Sequence, residues 1–565
     1  MNAFTQTLNP VGGTAGSTLL ALAPVAVLLV LLAVFRLTAW VSVVIGSAIT
    51  WLLAVFVWNM PVAKGGLAYL YGSATGVWAV DWIVFWGLII FNTLVVTGGF
   101  DRFKAWLVSQ ATADIRIQTL LLAWAFGALL EGLVGFGYPW AVVAPILIAL
   151  GVRELDAIRV AAIANNAPVS FGALGAPIIA LSAVTGLALN DLAASVGRIV
   201  AILALLPPWI LIYLVSGKRG LRTGWPLAVV GSLGYIVGQF PISQTIGPYL
   251  PDIIGSLTAF AAILALVKLW RPREILGFGG EVVQTMDGGA RRPLIAGGAQ
   301  DTPQADRQDE RSEAAKLREE GRRISGRDTF LAVLPFIILV AVVVAWTGPW
   351  SPLPDIKPAS FAVQATSSLT HKPVSAKFEW PPFIAGTSIL ASWLLIILLL
   401  RPRAEQLREV FRRSFAQSWG ALLVGVFIFG LAFTFNFSGM AATMANGFSK
   451  IGTPFILLAP VLGWIAVALS GSNTSSNAVF GQFQVAVARL LHLPILLTPS
   501  LNSVGAEVGK PVAPQTASVG VSTTRHVRDE GRVIRHNMGW TFVILAYLVG
   551  IGVLFYFLLP GAMRL

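Results

Sequence analysis

Apolar stretches long enough to cross a bilayer recur from one end of this chain to the other, and two of them are broken in mid-course by small and polar residues. A helix rises about 1.5 Å per residue, so about 20 apolar residues cross the hydrocarbon core. Full-length candidates lie at roughly 18–35, 38–58, 79–99, 195–215, 224–240, 251–269, 328–347, 381–400, 415–436 and 538–559. Regions 117–151 and 453–491 are apolar too, but each carries a polar or glycine-rich tip. The first is too long for one span and short for two spans with a turn. Two half-length arms meeting at a tip fit better, which predicts a re-entrant hairpin in each region.

Each interrupted region is followed, about 35 residues on, by a second anomaly. After Glu131 comes Asn165-Asn166-Ala167-Pro168-Val169-Ser170-Phe171-Gly172, running on to Pro177. After Asn473 comes Asn502-Ser503-Val504-Gly505-Ala506-Glu507-Val508-Gly509-Lys510-Pro511. Proline removes a helix hydrogen bond and glycine loosens the backbone, so both stretches read as helices unwound in the middle. Paired interrupted segments in corresponding places of two halves point to a transporter binding site.

Basic loops set the orientation. Arg102/Lys104/Arg116, Arg153/Arg159, Lys218/Arg219/Arg222, Arg401/Arg403/Arg408/Arg412/Arg413 and Arg525/Arg528/Arg532/Arg535 are rich, whereas 59–65 and 438–451 carry only Lys64 and Lys450. With the rich loops in the cytoplasm, the first hairpin enters from the cytoplasm and the second from outside, and both termini are extracytoplasmic. The expected fold is therefore an all-α polytopic membrane protein, an inverted repeat with two re-entrant hairpins and two broken helices. Residues 1–270 form the first repeat (hairpin 117–151, broken helix 155–187), and 328–565 the second (hairpin 453–491, broken helix 496–524). Residues 271–327 alternate acids and bases and read as a solvated cytoplasmic connector with a short surface helix. Segment 348–380 reads as an external loop or cap, and 62–77 as a short helix that lies along the interface or crosses.

With 56% hydrophobic and 12% charged residues, the chain has too little charge to cover a soluble surface. Its net charge of +13 is spread over short loops, which marks membrane orientation and excludes a nucleic-acid face. The partner surface is the lipid bilayer; composition permits an oligomer without requiring one. Cysteine is absent, and the four histidines (His371, His492, His526, His536) form no pair at metal-binding spacing, so neither a metal nor another cofactor is expected. The first apolar run, Leu19–Phe35, has no preceding basic residue and reads as a retained helix.

Chemistry must come from the tips and breaks. Glu131, in Leu130-Glu131-Gly132-Leu133-Val134-Gly135-Phe136-Gly137-Tyr138-Pro139, is the ionisable residue of its region. A carboxylate at bilayer depth costs about 2.5–3.5 kcal/mol on insertion scales, and such acids mark ion and proton paths. The plainer reading is a neutral carboxyl bonded to backbone at the turn. The second tip, Ser470-Gly471-Ser472-Asn473-Thr474-Ser475-Ser476-Asn477, offers hydroxyls, amides and the start of a helix to an anion. Capping would use the same groups. Glu507 and Lys510, three apart, either neutralise each other or divide into a proton carrier and an anion-attracting cation. Gly505–Lys510 is not a phosphate loop, because the glycine spacing is wrong and Pro511 stands where a hydroxyl is needed. Asp81 and Asp101 flank one helix and are expected at the interface.

These segments resemble the L-lactate permease family. Leu130-Glu131-Gly132 with Gly135-Phe136-Gly137-Tyr138-Pro139 is similar to that family's first tip, Asn165–Ala173 to its N-T-A-P-V-x-F-G-A, and Gly471–Phe480 to its G-S-D-T-S-S-N-A-x-F. Gly509-Lys510 followed by Ala513-Pro514-Gln515, the opening near Asn9-Pro10, and Ile246–Ile254 also resemble it, so the likeness runs in order along nearly the whole chain. Asn473 stands where the pattern has Asp, Glu507 where an uncharged residue is expected, Tyr138 in place of a small residue and Asn166 in place of Thr. The resemblance implies proton-coupled import of L-lactate, often also glycolate. It further implies a scaffold and a transport domain, with Ser472-Asn473-Thr474 similar to the Ser-Asn-Thr substrate motif of dicarboxylate carriers.

The expected function is thus symport of a small 2-hydroxy monocarboxylate with protons by alternating access. Ser472, Asn473, Thr474, Ser475 and Lys510 would hold the carboxylate. Asn165, Asn166 or Ser170 would meet the 2-hydroxyl. Glu131 and Glu507 would carry the proton, with Glu507 replacing in space the charge missing at Asn473. A cation/proton antiporter or a sodium-coupled carrier of another organic anion are the alternatives. No nucleophile, base and acid set lies in the membrane region, so an enzyme ranks last.

Overall fold

Glycine and proline decide where this apolar chain turns. The computed structural model describes residues 4–110, 113–135, 137–270, 272–287, 290–293, 325–348, 350–354, 356–522, 524 and 529–565. Among them, nine helices are long and apolar enough to cross a membrane, and a tenth candidate is a pair bent by 65°. Outward faces carry bare apolar side chains such as Leu19, Leu70, Val237, Leu398 and Phe557, while Asn165, Asn477, Gln484 and Asn502 point inward. That arrangement suits lipid outside and a polar interior, because backbone and polar groups must find partners within the protein.

The first hairpin runs up Ile115–Leu133 and returns through Tyr138–Ala149. Gly135 and Gly137 take φ of 70° and 74°, a left-handed geometry that glycine adopts without steric cost, and Pro139 opens the return arm. The outgoing arm is longer than the half-length expected, because Asp114 caps it two residues ahead of the apolar run. Its buried carboxylate also grips Arg116 at 2.6 Å, which satisfies a charge the apolar pattern had placed outside the helix. The second hairpin, Phe455–Ser470 and Asn473–Leu490, turns at Gly471 (φ 74°), and the Ser472 hydroxyl accepts the Ser475 N–H at 3.2 Å.

Both anticipated breaks are present. Glu154–Ala164 and Gly172–Thr185 are separated by the 3₁₀ turn Val169–Phe171, with Ala173 and Leu174 held at positive φ. Leu497–Gly509 stops at the turn Lys510–Val512 and resumes as Pro514–Val521. Gly463, Gly505 and Gly509 let the outgoing arm of the second hairpin lie directly on this helix. A Cβ at Gly509 would sit 2.5 Å from the Trp464 carbonyl oxygen. Backbone contact, not phosphate, accounts for the Gly505/Gly509 spacing.

Three expectations are corrected. The segment 62–77 is not a separate short helix: it continues through the π-helical turn Gly76–Asp81 into Trp82–Val96, a single run of 35 residues. No helix covers 195–215, because Pro207 and Pro208 lack the N–H groups that Leu189–Leu203 would need to continue. A new helix, Pro207–Thr245, starts there and is kinked at Gly217. Segment 348–380 is not loop alone: Ala359–Thr366 pairs antiparallel with Pro373–Glu379, and Phe4–Thr5 adds a parallel third strand.

Most of the connector, 294–324, lies outside the described residues, as do Arg525, His526, Arg528 and Phe136. The described part of the connector holds three short antiparallel strands, and the surface helix expected among its alternating charges lies outside the described residues.

Candidate functional site

The two hairpin tips and the two breaks open on one cavity. Its wall includes Glu131 and Gly135 from the first hairpin and Ser470–Ser476 from the second. Val169, Gly172, Ala173 and Pro177 come from the first break, and Lys510, Gln515 and Thr516 from the second. The tips rest on the stretch just after the second break. A Cβ at Gly137 would lie 2.6 Å from Thr516 Cγ2, and one at Gly471 would lie 2.6 Å from Gln515 Oε1. Glycine is therefore required at both turns for approach as well as for φ.

Lys510 sits on the wall with its ammonium 2.5 Å from Glu131 Oε1, both side chains buried. The other Glu131 oxygen accepts from Asn165 Nδ2 at 3.1 Å. Of the two arrangements open for Glu507 and Lys510, mutual neutralisation is overturned. Lys510 projects from the turn that ends its helix and meets the first hairpin, while Glu507, still helical, turns to the first break and accepts the Ser170 N–H at 3.0 Å. Charged partners taken from water into a low-dielectric interior are stable only when paired and hydrogen-bonded, which the Lys510–Glu131–Asn165 chain achieves.

The predicted residues divide into two groups. Glu131, Ser472, Asn473, Thr474, Ser475 and Lys510 line the cavity. Asn165, Asn166, Ser170 and Glu507 are buried behind it and are not part of its wall. Glu507 accordingly does not share the wall with Asn473, whose missing charge it was expected to replace. Asn473 is nearly buried and both atoms of its amide lack a partner within the protein, so it presents a donor and an acceptor to the cavity. Behind the wall, Asn165 Oδ1, both amide atoms of Asn166, Ser170 Oγ and Glu507 Oε1 are also without partners.

Sequence reasoning missed Asn477, which ties the parts together. Its amide nitrogen donates to the Pro177 carbonyl and to Ser503 Oγ, both at 2.9 Å, and its oxygen accepts from Asn502 at 3.2 Å. It also missed Gln515, Thr516 and Asp81 as cavity residues. Asp81, expected to flank its helix, is a buried residue of the cavity wall. The signal was an acid in an otherwise apolar run, hidden by starting the helix at 79 rather than at Val62.

Hairpin tips and broken helices enclosing a site with polar groups, within a bundle of spanning helices, define a polytopic membrane protein built around an internal binding site. The L-lactate permease family profile matches residues 17–559, and the chain belongs to that family of membrane transporters. Glycolate permease GlcA of Escherichia coli (strain K12) is 32% identical, covering 98% of this chain and 97% of its own. The L-lactate permeases of the same organism and of Bacillus subtilis (strain 168) are 30% and 29% identical, each aligning over 96% of this chain and 97% and 96% of their own. Among solved structures, MtrF of Neisseria gonorrhoeae aligns over 86% of this chain and 84% of its own at 13% identity and a TM-score of 0.46. The YdaH transporter of Alcanivorax borkumensis aligns over 88% and 90% at 14% and 0.46. The protein is thus a multi-pass bacterial inner-membrane transporter.

Proposed function

We propose that this protein imports a small 2-hydroxy monocarboxylate, L-lactate or glycolate, in symport with protons by alternating access. The observation that carries the reading is the Lys510–Glu131 pair on the cavity wall. Among the described residues, Lys510 is the one cation lining the cavity, and a carboxylate already occupies it. A substrate carboxylate can take that place only if Glu131 gives up its charge. Binding one proton and one anion together does this, since Lys510 keeps one negative partner and Glu131 becomes a neutral acid. The charge at the Lys510–Glu131 pair is unchanged before and after, so loading that pair adds no uncompensated ion.

Ser472, Asn473, Thr474 and Ser475 would hold the substrate carboxylate beside Lys510, with the free amide of Asn473 foremost. Asn165, Asn166 and Ser170 would sense the hydroxyl side and position Glu131, and Glu507 would hold the Ser170 turn or carry a further proton. Hairpin and broken helix recur in the same order in 1–270 and 328–565, which supports an inverted repeat with a scaffold and a transport domain. In that arrangement the connector 271–327 is cytoplasmic and the termini are outside. The names of the relatives support the substrate class. No cofactor is required beyond the coupling ion.

A second reading, sodium coupling, draws on the unpartnered buried oxygens of Asn165, Asn166, Ser170 and Glu507. Uptake of labelled L-lactate by proteoliposomes separates the two. The proposal expects accumulation driven by an inward pH gradient, abolished by a protonophore and indifferent to replacing sodium with choline. Uptake that follows sodium and ignores the pH gradient would transfer the role to that oxygen nest.

A further inference from the structure

We propose that Asp81 is a charge gate of the transport cavity: its ionised carboxylate repels the substrate anion, and a proton bound there admits it. The inference rests on the transport reading above and adds a residue and a second proton to it. Asp81 stands near the middle of the 35-residue run Val62–Val96, on the cavity wall that this run shares with Gly425 and Ile428 of Ala404–Ser438. Among the described residues no hydrogen bond or ion pair reaches its carboxylate. The opposing helix is hollowed for it, since a Cβ at Gly425 would run into the carboxylate itself. A side chain that fills a carved recess, has no partner and faces the cavity has a role beyond packing.

The surroundings supply nothing to neutralise it. Ala404–Ser438 has its charges within residues 405–413 and no titratable side chain from Ser414 to Ser438. Gly172–Thr185, which also packs on the Asp81 turn, has none. Its own run contributes only Lys64, Tyr69 and Tyr71, at the other end. Across the cavity stand Glu131 and Lys510, which already satisfy each other. With Asp81 ionised, the wall carries two carboxylates and one ammonium, leaving one negative charge that belongs to Asp81. When an anion and a proton arrive at the Lys510–Glu131 pair, that negative charge is still present. In a low-dielectric cavity it opposes the substrate, and a second proton on the Asp81 carboxylate removes the opposition. That proton enters with the substrate from the outer side and leaves to cytoplasmic water when the cavity opens inward.

The test is the pH profile of substrate affinity in Asp81→Asn, measured by counterflow of labelled L-lactate in proteoliposomes. The gate predicts that wild-type KM rises as pH increases from 5.5 to 8. Asp81→Asn is expected to flatten that rise and to bind about tenfold more tightly than wild type at pH 8, the scale of one removed like-charge repulsion. The two converge at pH 5.5, Asp81→Glu restores the profile, and protons taken up per lactate fall by one in the Asn variant. A gain of affinity is a change that lost packing does not produce. If Asp81→Asn keeps the wild-type profile, or loses affinity at every pH, the gate is overturned while transport stands. If wild-type protein shows no counterflow of any 2-hydroxy acid, the transport reading itself fails.

Discussion

Lys510 and Glu131 lie 379 positions apart in sequence, and their 2.5 Å contact fixes the first hairpin to the second break. Composition and spacing singled out both residues, because a lone charge in an apolar region has few structural uses. Their pairing was not legible, since i,i+3 spacing offered Glu507 as the nearer partner and nothing local shows that Glu507 turns toward Ser170. The place of Asp81 on the cavity wall was hidden for a related reason, its helix having been started at 79 rather than at Val62. The pairing sets the outcome of Glu131→Gln. The variant leaves the Lys510 ammonium without its anion, a state that costs about 3–5 kcal/mol, and a substrate carboxylate relieves it. Lactate should then raise the melting temperature of the variant more than that of wild type. Exchange of labelled for unlabelled lactate should persist, while accumulation under a pH gradient falls to simple equilibration. Net accumulation at the wild-type level would remove Glu131 from the coupling step.

At the scale of elements, the hairpins and breaks were the most legible features because each is written in backbone chemistry: Gly135 and Gly137, Gly471, Pro168 and Pro177, Pro511. The π-helical turn at Gly76–Asp81 and the strands of 359–379 were not legible. The first depends on close packing of Gly76 against Gly425, and the second on pairing with residues 4–5 at the far end of the chain. Gly471→Ala tests the tip. Its φ of 74° costs an L-residue about 1–2 kcal/mol, and the added Cβ would meet Gln515 Oε1 at 2.6 Å. The variant should still insert and remain monodisperse in detergent, because the hairpin arms pack independently of the tip. Its KM for lactate should rise, since Ser472, Asn473 and Thr474 hang from that turn. An unchanged KM would show that the second tip does not touch substrate.

For the whole molecule, orientation is the property on which an inverted repeat depends, and the arginine-rich loops argue for it from a direction unrelated to the cavity. The chain contains no cysteine, so single introduced thiols report their side of the membrane without background. Lys218 follows the kink at Gly217 and is exposed, while Lys450 is exposed in the turn before the second hairpin. If the first hairpin enters from the cytoplasm and the second from outside, an impermeant maleimide should label Lys450→Cys in intact spheroplasts and Lys218→Cys only after permeabilisation. The consequence reaches the site. Two hairpins inserted from opposite faces can each close one route to Lys510, so the substrate always meets one open path and one closed one. Labelling of both positions from the same side would place both hairpins on one face, and a single cavity between their tips could then no longer alternate.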